Sequence, residues 1–342
     1  KNALLSFGES EANIRGEIVN FDKPVFNLRL KSKNLDLNPL LPEKARSIKE
    51  INSLFKNSPL FLLTRGKIDL DAEKGQYLFL KVPHITGEIE LNNGLIKLNR
   101  MKVFFSKKYA FADAFLDFLS DHGLDFSLKL HGRSFEVEKF ERVFEKYFKD
   151  SISGRLSLAT LLMGKGSNLN EISKSLSGNL SLLLMKGDYN KQNLISGITK
   201  IFGFDSETTE NNESLASKNF DVIKGNFAIN NGVAITQNYA IETPERRTSV
   251  IGTFDMGNKK LDLSIGVAPW QNLNETVSKI PIVGTIVTGG DDKSLFINYY
   301  NVKGKMESPE VKAVPLKSLG KKVISLFKGI FQTPKEIFAP AK

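Results

Sequence analysis

The chain has no cysteine among its 342 residues. That excludes disulfides, thiolate metal sites and cysteine nucleophiles together. Histidine is scarce: His84, His122 and His131 are the only three, and their scatter matches no metal-ligand spacing. Long apolar runs are missing too. The longest candidate, Ile280 to Val287 (IPIVGTIV), falls well short of the roughly 18 residues that cross a bilayer as a helix.

Catalytic signatures are equally thin. Gly164-Lys165-Gly166-Ser167 lacks the spacing of a phosphate-binding loop, and no Gly-x-Ser-x-Gly elbow occurs. Gly289-Gly290-Asp291-Asp292 resembles a nucleotide-cyclase metal loop only locally and reads as turn chemistry. Asp69 and Asp71, on alternate positions of a strand pattern, read as its wet face rather than as paired glycosidase acids. The expectation is a protein that is not an enzyme and uses no cofactor or metal.

What is present is alternation. Ile14, Gly16 and Ile18, then Phe26, Leu28 and Leu30, stand between polar neighbours, as in strands with one apolar and one polar face. A unit then recurs. Gly87 to Asn99 reads GEIELNNGLIKLN and is followed by LDFSLKL from Leu124; Gly225 to Asn238 reads GNFAINNGVAITQN and is followed by LDLSIGV from Leu261. Glycine and leucine lie 37 positions apart in the first copy and 36 in the second, and the copies are about 137 residues apart. Such self-similarity marks a duplicated β unit. In the first hairpin an Asn93-Gly94 turn sets Leu91 opposite Ile96 and Ile89 opposite Leu98. In the second, a three-residue Asn230-Asn231-Gly232 loop pairs Ile229 with Val233.

Short helices are expected at Glu43 to Phe55, Phe135 to Phe148, Gln192 to Phe202, Asn272 to Ile280 and Leu316 to Phe331, where apolar residues recur at helical spacing. These helices are too few and too short to cover so many strands, and an apolar sheet face must be covered by something. The predicted fold is mainly β: an elongated, curved antiparallel sheet forming an apolar groove. It is built from two related units, residues 1–150 and 151–315, with a basic amphipathic helical tail over 316–342. The groove lining is expected to be Leu124, Phe126, Leu128, Leu130, Leu180, Leu182, Leu184, Phe227, Ile229, Leu261, Leu263, Ile265 and Val267.

The charge is unevenly placed. The chain carries a net +10, of which +6 falls between Asn301 and Lys342 (nine Lys, three Glu). A basic amphipathic helix there suits an anionic membrane surface, with Lys317, Lys321, Lys322, Phe327, Lys328 and Phe331 as the surface residues. Nucleic acid is disfavoured because the basic residues are not interleaved with stacking aromatics and no binding motif occurs. The chain opens at Lys1 inside a strand-like pattern, which reads as a segment of a longer protein beginning upstream.

The order of segments from ISGRLSLATLLMGKGSNLNEISKSLSGNLSLLLMKGDYN through GITKIFGF and FDVIKGNFAINNGVAIT to SVIGTFDMGNKKLDLSIGVAPW, KIPIVGTIVTGG and VKGKMESPEV resembles the C-terminal region of AsmA-like envelope proteins, the AsmA/YhdP/TamB group. The likeness covers roughly residues 150 to 335 well and the first half loosely. It implies a periplasmic protein of a two-membrane bacterium, anchored in the inner membrane through an upstream helix. It further implies that phospholipid acyl chains pass along an apolar β-groove toward the outer membrane, with other envelope proteins as further partners. The alternative reading is an assembly factor for outer-membrane proteins, with a filled β-sandwich core.

Overall fold

The computed structural model describes residues 2–7, 10–36, 47–77, 80–105, 107–137, 153–189, 218–244, 246–269, 285–289, 293–315 and 318–332. The first elements are β1 (Asn2–Phe7), β2 (Ser10–Val19) and β3 (Val25–Asp36), then helices α1 (Ile48–Lys56) and α2 (Pro59–Leu63). Next come β4 (Arg65–Ala72), the short β5 (Gly75–Tyr77) and β6 (Leu80–Val82), β7 (Ile85–Asn92) and β8 (Leu95–Phe105). They are followed by β9 (Lys108–Asp117), β10 (Leu124–Glu136), β11 (Arg155–Gly166), helix α3 (Leu169–Ser175) and β12 (Ser177–Tyr189). The chain continues through β13 (Lys218–Asn230), β14 (Val233–Glu242), β15 (Arg246–Asp255) and β16 (Lys260–Pro269). It closes with β17 (Thr285–Gly289), β18 (Lys293–Lys305), β19 (Glu310–Ala313) and helix α4 (Lys321–Gln332).

All nineteen described strands belong to one long, curved, unclosed sheet. Nearly every strand pairs antiparallel with its sequence neighbour, and β10 passes to β11 without a break in pairing. The exceptions to the antiparallel expectation are β3 with β4 and β3 with β5, which run parallel. A parallel pair needs a long return path, and α1 and α2 lie on it between β3 and β4.

The two ends of the sheet differ. At one end, α1 starts on a capping box between Ser47 and Glu50 and closes over the β9–β10 connection. Asn52 Nδ2 donates there to the Phe118 carbonyl and, at 2.6 Å, to that of Gly123, while Phe55 packs on Phe61 and Phe118. Helix α3, which the apolar pattern did not mark, sits at this same end. The Leu176 carbonyl just beyond it accepts from Gly232 N in the β13–β14 turn, at 2.8 Å. At the opposite end Glu136 pairs with Arg155 and Tyr189 with Lys218.

The first repeat hairpin has the expected register, Leu91 opposite Ile96 and Ile89 opposite Leu98. The second departs from expectation: Ile229 faces Ala234 and Phe227 faces Thr236. Its turn is the two-residue Asn231-Gly232, with φ of 46° and 78°. Two successive positive φ angles match the right-handed twist of the flanking strands, and Asn-Gly supplies them most readily. The phase change that favoured a three-residue loop is absorbed later, in a bulge between Thr236 and Tyr239.

Helix boundaries shift as well. The first helix begins at Ile48 rather than Glu43, and the last spans Lys321–Gln332 rather than beginning at Leu316. Phe135 and Glu136 finish β10 instead of opening a helix, because Phe135 stays in register with Leu156. Val137, next in the chain, is helical; residues 138–148 of that predicted helix, and those over 192–202 and 272–280, lie outside the described residues.

Gly232 lies at positive φ, and a Cβ there would meet the Ser173 carbonyl oxygen of α3. Gly232→Ala is therefore expected to destabilise the protein by more than about 1 kcal/mol, read as a lower urea midpoint at unchanged slope.

Candidate functional site

Residues directly opposed across a strand pair project from the same face, so the registers can be chained from strand to strand. One such chain runs Gly16, Leu28, Ile68, Ile89, Leu98, Ala114, Leu128, Leu162, Gly178, Ile229, Ala234, Phe254, Leu261, Gly304. It crosses fourteen strands, β2 to β18, without one polar side chain. At about 4.8 Å per strand the row is about 60 Å long. A neighbouring row runs Met101, Ala112, Leu130, Thr160, Leu180, Phe227, Thr236, Gly252, Leu263, Val302, polar only at its two threonines.

All thirteen residues predicted to line a groove project from this one face, as the registers of β10, β12, β13 and β16 require. Their burial is partial. Only Leu184 (4% exposed) and Ile229 (9%) are buried; the other eleven are intermediate. Side chains in the centre of a sandwich core would be close-packed and dry, so among the described residues this face has no complete second layer.

Clusters of apolar side chains punctuate the face. One gathers Leu35, Leu70, Ala72 and Met101, another Phe105, Ala110 and Phe135, a third Val137, Leu184, Phe220 and Ile223, and a fourth Ile229, Ala234 and Met256. Large side chains lie over glycines of the same face: the Phe126 ring over Gly164, Tyr239 over Gly225 and Met101 over Gly87. Glycine at such points lets a sheet bend toward the face that lacks the side chain.

The residues that the sequence reading left out of this face include Leu98, Met101, Leu162, Tyr239 and Phe254. A usable signal existed. In β8 the apolar positions run Ile96, Leu98, then Met101, Val103, Phe105, and the change from even to odd numbers falls where the register shifts between Leu98 and Met101. The same change separates Ala234 from Tyr239 and Gly132 from Phe135. A skipped beat in apolar alternation marks a bulge that keeps the apolar set on one side.

The other face is ionic. Arg29 pairs with Asp69, Lys31 with Asp71, Lys67 and Arg100 with Glu88, and Lys303 with Asp262, each pair within 4.0 Å. Asp71 also accepts from His84 Nε2 at 2.9 Å, and that bond, followed by Lys31, holds its carboxyl below the usual range against a smaller penalty from burial. The Asn99 amide does the same for Glu88. Asp69 and Asp71 are thus engaged by cationic and imidazole neighbours on this face. His131 stacks on Phe111, and His122 contacts Ser120. Among the described residues no group of three side chains is placed to hold a metal ion, and no helix is long and apolar enough to cross a membrane. Of the Gly-Gly-Asp-Asp loop, residues 290–292 lie outside the described residues.

Helix α4 corrects one expectation about the membrane-surface residues. Phe327 does not face outward: it is fully buried (0% exposed) in a cluster with Ile251, Ala268, Ile297 and Tyr299. The registers of β15, β16 and β18 put these partners on the ionic side of the sheet, opposite Leu263 and Ile265. The helix thus spends its apolar stripe on the sheet, because Ala268 and Gly266 leave a shallow seat there. Lys321 and Lys322 are exposed; Lys328 and Phe331 belong to α4, and Lys317 lies outside the described residues.

Beside that seat lies a buried ion cluster. Glu242, 1% exposed, accepts from Lys224 and Arg247, each at 3.1 Å, and Arg247 also donates to the Ile330 carbonyl of α4. Burial pulls the Arg247 guanidinium below its ordinary range, with the Glu242 charge acting against it.

No family model matches the chain, nor does any curated protein or solved structure.

Phe327→Ala is expected to lower stability by about 3–5 kcal/mol if the helix seat and the sheet unfold together. Hydrogen exchange should then rise over residues 321–332 and over Ile251 and Tyr299 beneath them.

Proposed function

We propose that the protein is a non-enzymatic lipid conduit, in which the apolar face carries acyl chains and the ionic face stays in water. The observation that supports this most is the fourteen-residue row from Gly16 to Gly304, apolar throughout, most of whose members stay partly exposed, with Ile229 and Ala234 buried. The face is read as the lining of a groove built from two related units. In both, the second strand of a hairpin with an Asn-Gly turn shifts register, at Leu98/Met101 in β8 and at Thr236/Tyr239 in β14. Duplication of a unit lengthens such a row without altering its chemistry.

The energetics suit transit rather than capture. Each methylene taken out of water gains about 0.8 kcal/mol in any apolar setting, so a chain passing from a bilayer to this face exchanges like for like. Little specific recognition is then needed, which agrees with a fourteen-residue row of Leu, Ile, Phe, Ala and Gly that offers no side-chain hydrogen-bonding group. The resemblance to AsmA-like envelope proteins leads to the same reading, with phospholipid as the cargo and the periplasm as the place. The exposed Lys321 and Lys322 of α4 would face anionic headgroups, while its Phe327 anchors the helix to the sheet.

Native mass spectrometry of the purified protein should reveal co-purified phospholipid, and photocrosslinking residues at positions 128 and 263 should capture its acyl chains. A chain free of lipid and of crosslinks at both positions would contradict the proposal. Leu263→Asp should reduce lipid capture with the fold retained, since this side chain is only partly buried. If the face were a filled core, the same substitution would bury an unpaired charge and unfold the protein.

A further inference from the structure

On the ionic face, across β10, β11 and β12, the large charged side chains give way to small ones. His131 lies opposite Ala159, Ala159 opposite Ser181, and Ser157 opposite Leu183. The next strand continues the patch, with Asn226 opposite Ser181 and Lys224 opposite Leu183. Helix α4 stands over one side of this low ground and turns Ser325, Leu326 and Ile330 toward it. Between helix and sheet is a cavity of about 640 Å³, also lined by Arg133, Gln237 and Asn238. That volume falls within the roughly 300–1,000 Å³ of small-molecule sites.

The lining has two chemistries. His131, Arg133 and Lys224 are its titratable members, and no carboxylate occurs among the described lining residues. Lys224 is fixed by Glu242 at 3.1 Å, and an ammonium with three donors can serve a second acceptor. Asn238 is oriented too, its Oδ1 accepting from Asn226 N at 2.9 Å. Leu183, Leu326 and Ile330 supply an apolar wall.

We propose that this cavity binds a single-chain anionic amphiphile, with its carboxylate or phosphate head toward His131, Arg133 and Lys224 and its aliphatic chain along Leu183, Leu326 and Ile330. The site lies on the opposite side of the sheet from the apolar row and does not rest on the conduit reading. Its composition differs accordingly: the row has no polar group to orient a head, whereas the cavity offers His131, Arg133 and Lys224 beside a short apolar wall.

The test is calorimetric titration of the delipidated full chain with palmitate, with uncharged monopalmitoylglycerol, and with acetate and inorganic phosphate as heads without tails. Palmitate should saturate one site, separate from any non-saturating uptake along the apolar row, and the other ligands and the variants are read at that site. Monopalmitoylglycerol should bind at least about tenfold more weakly for want of a charge-assisted hydrogen bond, and the free anions should give no saturable heat. Arg133→Gln should weaken palmitate binding by about tenfold. Leu183→Trp, which fills the cavity, should abolish it with thermal unfolding unchanged; Ala159→Phe, at an exposed floor position, serves if the first variant fails to fold. Equal affinity for palmitate and monopalmitoylglycerol would overturn the proposal. So would palmitate binding unaffected by either filling variant, or acetate or phosphate binding as tightly as palmitate, which would mark a free-anion site.

Discussion

The structure depends on keeping two chemically different faces in phase across a single sheet. Each strand alternates apolar and polar side chains, so a slip of one residue anywhere would send a leucine row into water and lysines into the row. Fourteen strands share one apolar row without a polar interruption, which means that every pairing between them is in phase. Bulges maintain this phase. Where the apolar residues of β8 change from Leu98 to Met101, or those of β10 from Gly132 to Phe135, an extra residue takes up the difference. Arg100 and Ser134 sit at these points with positive φ, where a bulged strand bends most.

From that segregation the rest follows. The ionic face needs no covering layer, since Arg29, Lys31, Lys67 and Lys303 meet carboxylates across neighbouring strands; such exposed pairs add little stability each. They do discourage wrong registers, because a slipped strand would lose its partners as well as misplace its leucines. The helices therefore act at the margins: α1 and α3 close the turns at one end, and α4 covers the part of the ionic face around Ile251, Ala268 and Tyr299. The apolar face is left without a complete second layer among the described residues.

The face was legible in the sequence because alternation is local. Leu124 to Leu130 or Leu261 to Val267 needs no knowledge of its neighbours to declare one wet side and one dry side, and the Asn93-Gly94 hairpin could be registered from its own eight residues. Features that depend on partners were hidden. The seat of Phe327 is made by Ile251, Ala268 and Tyr299, three strands that carry no mark of a helix to come. Helix α3 is short and exposed, with only Ser173 buried, so no apolar stripe announces it. The second hairpin was misread by one residue because its phase change belongs to a bulge five residues beyond the turn. The cavity beside α4 arises from small residues on three different strands, which become a hollow only when registered.

The absence of cysteine makes the central claim directly measurable. Single cysteines placed in turn at positions 124 to 130 can carry a nitroxide label, with phospholipid deuterated in its acyl chains supplied to the protein. If the apolar face carries those chains, deuterium modulation of the electron spin echo should be strong at 124, 126, 128 and 130 and weak at 125, 127 and 129. Modulation absent at all seven positions, or equal at odd and even ones, would contradict the account.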